Sequence, residues 1–162
     1  MANVVYNEYK DNMITGAAAL PGAANEYAVL LVTSAYSAEE GHLIADVVAE
    51  EVASGGTYAR QSLAGVTGPT KVEVGGDATG VDDYYKIDAT DTAFGPNATI
   101  TAAGAVIVQL ATPGAPPATI GAVTGISAVV TFVDFGGEKS SSNGDFTVVW
   151  NANGILNYKQ GA

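Results

Sequence analysis

The chain predicts a mainly β fold, a β-sandwich or partly closed barrel with a short N-terminal helix and one short internal helix. Three observations carry that expectation. Apolar, β-branched and aromatic residues alternate at period two in several short stretches. Clusters of Gly, Pro, Asn, Asp and Ser separate these stretches. Only two segments keep helical spacing. Nothing repeats at a fixed period, which sets aside solenoids and propellers. A length of 162 residues suits one domain, 1–162, with a helix or arm at 1–16 and the sandwich over 27–162.

Taken in order, residues 3–16 read as a helix. Asn3 can cap it, Val5, Tyr9 and Met13 fall on one side, and Gly16 can end it. A small-residue connector with Pro21-Gly22 leads to YAVLLVT at 27–33, an apolar run expected as a buried strand. Ser37-Ala38-Glu39-Glu40 fits a capping box, and Leu43, Ile44, Val47 and Val48 keep helical spacing behind it, with Gly41 shortening the helix. The chain then turns at Ser54-Gly55-Gly56 and leaves as a strand carrying Tyr58 and Leu63. Further strands are expected at 70–74 and at 82–88, the latter with Tyr85 and Ile87 inward, and 89–97 is a turn-rich link. The longest candidate is TITAAGAVIVQLA at 99–111. Ile100, Val106, Val108 and Leu110 share one face there, and Gly104 marks a bulge or a close approach. TPGAPP at 112–117 is a loop.

Residues 128–156, AVVTFVDFGGEKSSSNGDFTVVWNANGIL, read as two strands joined by a polar loop, then a turn into a short last strand. Val129, Thr131, Val133 and Phe135 point one way along the first, Val130, Phe132 and Asp134 the other. The loop is 136–144, with Gly136-Gly137, three serines and Asn143-Gly144. On the second strand Phe146, Val148 and Trp150 oppose Thr147, Val149 and Asn151, and Asn151-Ala152-Asn153-Gly154 makes the next reversal.

Composition narrows the function classes. Seventeen carboxylates against six basic residues give a formal charge of −11. Phosphate binding needs clustered Lys and Arg, so a nucleic-acid surface is set aside, and an anionic membrane surface with it. Charged residues are only 14%, well under the usual quarter or so. Such neutral surface suits burial between subunits, or equally a monomer faced with Thr, Ser and Asn. Without cysteine there is no disulfide framework and no thiolate chemistry. No apolar run approaches the ~18 residues of a membrane span, and no secretory signal is read at the start, so synthesis and use in a cytoplasm are expected.

Few residues offer chemistry. His42 is the single histidine, and general-base catalysis needs an oriented partner, so a surface or packing role is expected. No serine stands in a nucleophile elbow to complete a triad. Asp82, Asp83, Asp88 and Asp91 could hold a hard cation, but no calcium-loop pattern accompanies them and solvated turns are expected. The acidic cluster from Glu39 to Glu51 reads as a solvated or partner-facing surface. Asn97-Ala98-Thr99 matches a glycosylation acceptor only formally, and Gly75-Gly76-Asp77 lacks the lysine and helix of a phosphate loop. Arg60, the single arginine, is expected to pair with a carboxylate and fix a loop or subunit contact. Trp150 is expected in the core, and a sugar-stacking role would need Tyr158 beside it. No catalytic, cofactor-binding or metal-ligating residue is assigned, and no enzymatic activity is expected.

Three stretches resemble one family. The run VVTFVDFGGEKSSSNGDFTVVWNANGIL is similar to the C-terminal signature of small virion structural proteins of tailed bacteriophages. That signature runs as an apolar strand ending in Asp-Phe, a Gly/Lys/Ser loop, Gly-Asp-Phe, a strand ending in Trp, then Gly-Ile-Leu. GGTYARQSLAG at 55–65 resembles the group's Gly-x-Tyr-x-Arg-x-x-Leu segment, and the opening helix matches in place and length. The likeness is collinear, strongest in the last third and thin over 68–97, and the Pro/Ala-rich 112–124 looks like an insertion. It implies a non-enzymatic virion protein made in the host cytoplasm, a head decoration or cement protein. The implied partners are the major capsid protein and copies of itself, a trimer being favoured. A neck or tail component and a carbohydrate- or receptor-binding sandwich module are the alternatives.

Overall fold

The computed structural model describes residues 4–15, 26–53, 58–72, 84–116 and 121–159. Among them the fold is mainly β, with several antiparallel sheets, two helices and no closed barrel. Three strands make its centre: β2 (Tyr27–Val32), β7 (Ala98–Leu110) and β8 (Ile126–Gly144). The central sheet runs β1-β8-β7-β2-β3, with β1 (Val4–Val5) and β3 (Gln61–Ser62) at its edges. Every residue of β2 is buried, because the sheet is covered on both faces. Val29 and Leu31 join one core with Ile107 and Val130. Leu30 and Val32 join a second with Val106, Val108 and Phe132. Each such side chain contributes about 2 kcal/mol on leaving water.

The first core is closed by a three-stranded sheet and a strand pair. The sheet runs β10-β5-β4, built from β4 (Thr67–Val72), β5 (Tyr84–Asp88) and β10 (Leu156–Lys159). The pair is β6 (Thr92–Ala93) with β9 (Thr147–Val148). The second core is closed by α2 (Ile44–Ala49), through Val47, and by Tyr36 and Tyr6. Ile87 faces the first core from β5, but Tyr85, two residues before it, is 49% exposed and not inward as expected.

At the N-terminus the helix α1 spans Asn7–Thr15, and Val4 and Val5 pair instead with Phe132 and Thr131 of β8. β-Branched residues favour that extended edge, and Thr131 Oγ1 donates to the Val4 carbonyl at 2.8 Å. The proposed cap, Asn3, and the proposed stop, Gly16, lie outside the described residues. Of the apolar side read for the helix, Tyr9 lies in the first core and Met13 packs against it, whereas Val5 belongs to β1 and packs against the same core from the strand.

The internal helix starts later than the Ser37 box predicts. Residues 40–41 form a turn, and Leu43 is the cap residue, its amide donating to Asp46 Oδ2 at 2.8 Å. Gly41 ends the helical register before it begins, and Asp46 supplies the acceptor that Glu40 was expected to supply.

The C-terminal third differs most. Residues 136–144 are not a loop: β8 continues through them to Gly144 and pairs with the first half of β7. The hairpin partner of β8 is therefore β7, and the segment after Gly144 crosses to pair with β6. Ala102 faces Lys139 while Gly104 faces Asp134, so β8 carries extra residues there. Gly136 and Gly137 absorb them at φ 69° and 130°, conformations that glycine adopts without a Cβ clash. β7 changes face at the same level: Ile100 and Ala102 lie in the first core, whereas Val106, Val108 and Leu110 lie in the second. A second shift, between Ile107 and Val108, puts Val129 and Phe132 on one face and breaks the strict alternation expected for β8. Gly104 is the expected close approach, since a Cβ there would overlap the Phe132 ring.

Candidate functional site

A cleft of about 600 Å³ opens where β8 leaves the core. One wall is β8 from Val133 to Ser140, and the other is the segment from Asp145 to Asn151 that contains β9. Its floor is the end of the first core, formed by Phe135, Phe146, Trp150 and Ile155. Phe135 and Phe146 meet with ring centroids 6.3 Å apart. Charge comes from Asp134, Asp145 and Lys139 at the rim, and Val149 beside them is 72% exposed.

Trp150 is 7% exposed, its Nε1 donates to Thr92 Oγ1 at 3.2 Å, and its amide donates to Asp91 Oδ1 at 3.0 Å. It is core, as expected, with one edge lining the cleft. The side chain of Tyr158 lies outside the described residues. The period-two face of Phe146, Val148 and Trp150 was legible in the sequence. Lys139 and Ser140 as a cleft wall were not, because a double-glycine bulge inside a strand carries the same residues as a turn.

The second polar feature is buried. Arg60 Nε donates to Glu51 Oε1 at 2.8 Å and Nη2 to Oε2 at 2.7 Å, with both side chains 0% exposed. Glu51 also accepts from the Tyr58 hydroxyl and from the Gly121 amide, each at 3.0 Å. This is the carboxylate partner expected for Arg60, and it ties three separated segments together. Burial first, and then the Glu51 charge, push the Tyr58 hydroxyl well above the ordinary tyrosine value. Glu51 thus leaves the acidic surface cluster it was grouped with.

The remaining candidates do not converge. His42 is half-buried, with Nδ1 3.4 Å from the Tyr36 hydroxyl and Nε2 4.0 Å from Glu39 Oε2. Tyr36 in turn shares a 2.6 Å hydrogen bond with Tyr6. Asp88 is engaged by Lys86 Nζ at 3.2 Å and by its neighbour's amide, Asp91 serves Trp150, and Asp82 and Asp83 lie outside the described residues. No group of three or more potential metal ligands occurs among the described residues. Asn97 sits in a turn at φ 61° and Ala98 is buried at the start of β7, while residues 75–77 lie outside the described residues. No helix among the described residues is long and apolar enough to cross a membrane. No family model matches the chain, and neither a curated protein nor a solved structure matches it.

Proposed function

We propose that the chain is a structural protein of a tailed-bacteriophage virion, a head decoration or cement protein. It binds the outer capsid surface and stabilises it by packing and hydrogen bonding between subunits, with the major capsid protein and further copies of itself as partners. The observation that carries this reading is the collinear set of motifs and what their residues do in the fold. Tyr58, Arg60 and Leu63 of the internal segment are buried, two of them around Glu51. Phe146, Trp150 and Leu156 of the C-terminal signature belong to the first core. The residues that carry the likeness are scaffold residues, which supports a shared β-body rather than a chance run of turn residues.

The test mixes the purified chain with particles that lack it, sediments them, and measures particle survival on heating and chelation. Light scattering gives the mass of the chain in solution. Co-sedimentation with capsids, restored robustness and a discrete oligomer such as a trimer are expected. A monomer that stays in the supernatant and leaves particle stability unchanged overturns the cement role.

A further inference from the structure

We propose that His42 is a proton-operated latch: a directed hydrogen-bond chain runs from Tyr6 through Tyr36 to its Nδ1, and a proton arriving there reverses the chain and releases the turn at 39–42 from the N-terminal helix. This does not rest on the virion reading. The direction follows from counting hydrogens. Tyr6 is 0% exposed, and among the described residues its hydroxyl meets one polar atom, the Tyr36 hydroxyl at 2.6 Å. The Tyr36 hydroxyl has two such neighbours, Tyr6 and His42 Nδ1 at 3.4 Å. Burial holds both hydroxyls above the ordinary tyrosine value, so each keeps its hydrogen. A buried donor without an acceptor costs the full desolvation of that group. Tyr6 therefore donates to Tyr36, and Tyr36 donates onward. His42 Nδ1 is the acceptor, and the ring hydrogen sits on Nε2, which lies 4.0 Å from Glu39 Oε2.

Protonation removes that acceptor. With hydrogens on both ring nitrogens, Nδ1 can only donate. Tyr36 must then accept from His42 and donate to Tyr6, and the Tyr6 hydrogen is stranded in the second core. The charged groups around the ring bear on the same proton. Glu39 attracts it from 4.0 Å, but that side chain is 76% exposed, where an ion pair contributes little. Asp46 of α2 is exposed too, and its carboxylate already accepts from the Leu43 amide. Lys10 of α1 repels the proton, and Glu40 offsets that charge at 2.8 Å. The buried mismatch outweighs these surface charges, and turning the ring out to water relieves it. Of residues 39–42 only His42 is partly buried, so its ring, tilted on Tyr36 with centroids 5.7 Å apart, anchors this turn on the second core. The turn carries the Glu40 carbonyl, which accepts from the Asn7 amide at 2.8 Å, and the carboxylate that binds Lys10. Release at His42 thus loosens the seat of α1.

The test records ring-nitrogen NMR and amide hydrogen exchange on the full chain from about pH 8 to 5, the range in which histidine changes charge. At the upper end the single histidine is expected as its Nε2–H tautomer, a reading that needs no variant. Lowering the pH is expected to cut the protection factor of the Asn7 amide about tenfold, while the paired amides of β2 and β7 keep theirs. The protection factor divides out the intrinsic pH dependence of exchange. His42→Gln offers Tyr36 an amide oxygen that takes no proton, and is expected to abolish the loss at Asn7. Glu39→Gln, which removes only the surface ion pair, is expected to retain it. An Nδ1–H tautomer at the upper end, or an Asn7 protection that does not fall with pH, overturns the proposal. So does a loss shared equally by β2 and β7, a loss that persists in His42→Gln, or one that vanishes in Glu39→Gln.

Discussion

Replacing Arg60 by methionine removes two short charge-assisted hydrogen bonds to Glu51 and leaves a carboxylate with 0% exposure and, among the described residues, only the Tyr58 hydroxyl and the Gly121 amide as donors. Breaking a buried ion pair from one side costs about 3–5 kcal/mol. Methionine returns part of the lost packing and removes Arg60 Nη1, a buried donor with no partner among the described residues, so the lower end of the range, about 3 kcal/mol, is expected. With a urea slope of about 2 kcal/mol per molar, the unfolding midpoint falls by about 1.5 M. The melting temperature falls by roughly 6–12 °C. Adding Glu51→Gln to Arg60→Met removes the unpaired charge, keeps an acceptor for one of Tyr58 and Gly121, which donate to different carboxylate oxygens, and is expected to recover about half of the loss. Urea unfolding of the four proteins of this cycle measures the coupling directly. An Arg60→Met midpoint within about 0.3 M of wild type, or a double variant as unstable as the two single losses added, refutes the argument.

Three further outcomes are expected. Gly104→Ala forces a Cβ into the Phe132 ring and destabilises by about 2 kcal/mol in a urea melt, and Phe132→Leu in the same chain recovers part of that loss. Asp46→Ala removes the acceptor at the start of α2 and costs about 1 kcal/mol by the same assay. Burial holds the hydroxyls of Tyr6, Tyr36 and Tyr58 above the ordinary tyrosine value, so the folded chain keeps protons that the unfolded chain releases. Their contribution is whole below about pH 10 and declines as the pH rises beyond it, so urea midpoints measured from pH 8 to 11 fall at the alkaline end, and less steeply in Tyr6→Phe.

How much of this was legible beforehand differs by element. Continuous apolar runs were read correctly: 27–33 is β2 and 99–111 is β7, each to within one residue at either end. Arg60 was legible because a lone arginine in an acidic chain needs a carboxylate, although which of seventeen it takes depends on long-range pairing. Glu51 qualifies because it bridges to Val32 on the central strand β2. The second half of strand 126–144 was misread as a loop because Gly-Gly, Ser-Ser-Ser and Asn-Gly are turn residues by local preference, while the pairing that overrides that preference lies on β7, over forty positions away for Ser141 and Ala98. The short pair β6–β9 carries two residues a side, too few for any periodicity to register. The cleft inherits that blindness, since it exists only where the misread strand diverges from its neighbour.

The pairing of Val4 and Val5 with β8 has a consequence for vectorial synthesis. The segment at Val4 and Val5 binds a strand more than 120 positions later, and Glu8 on α1 accepts from the Val129 amide at 3.2 Å. While the ribosome is still making the middle of the protein, the sites for Tyr6 and Tyr9 are incomplete, and both rings stay in water or in transient company. The hairpin of β7 and β8, consecutive strands in the chain, can close as soon as it emerges, and β2 waits on β7 in the same way. The N-terminus is thus born first and seated late, and its docking marks completion of the central sheet.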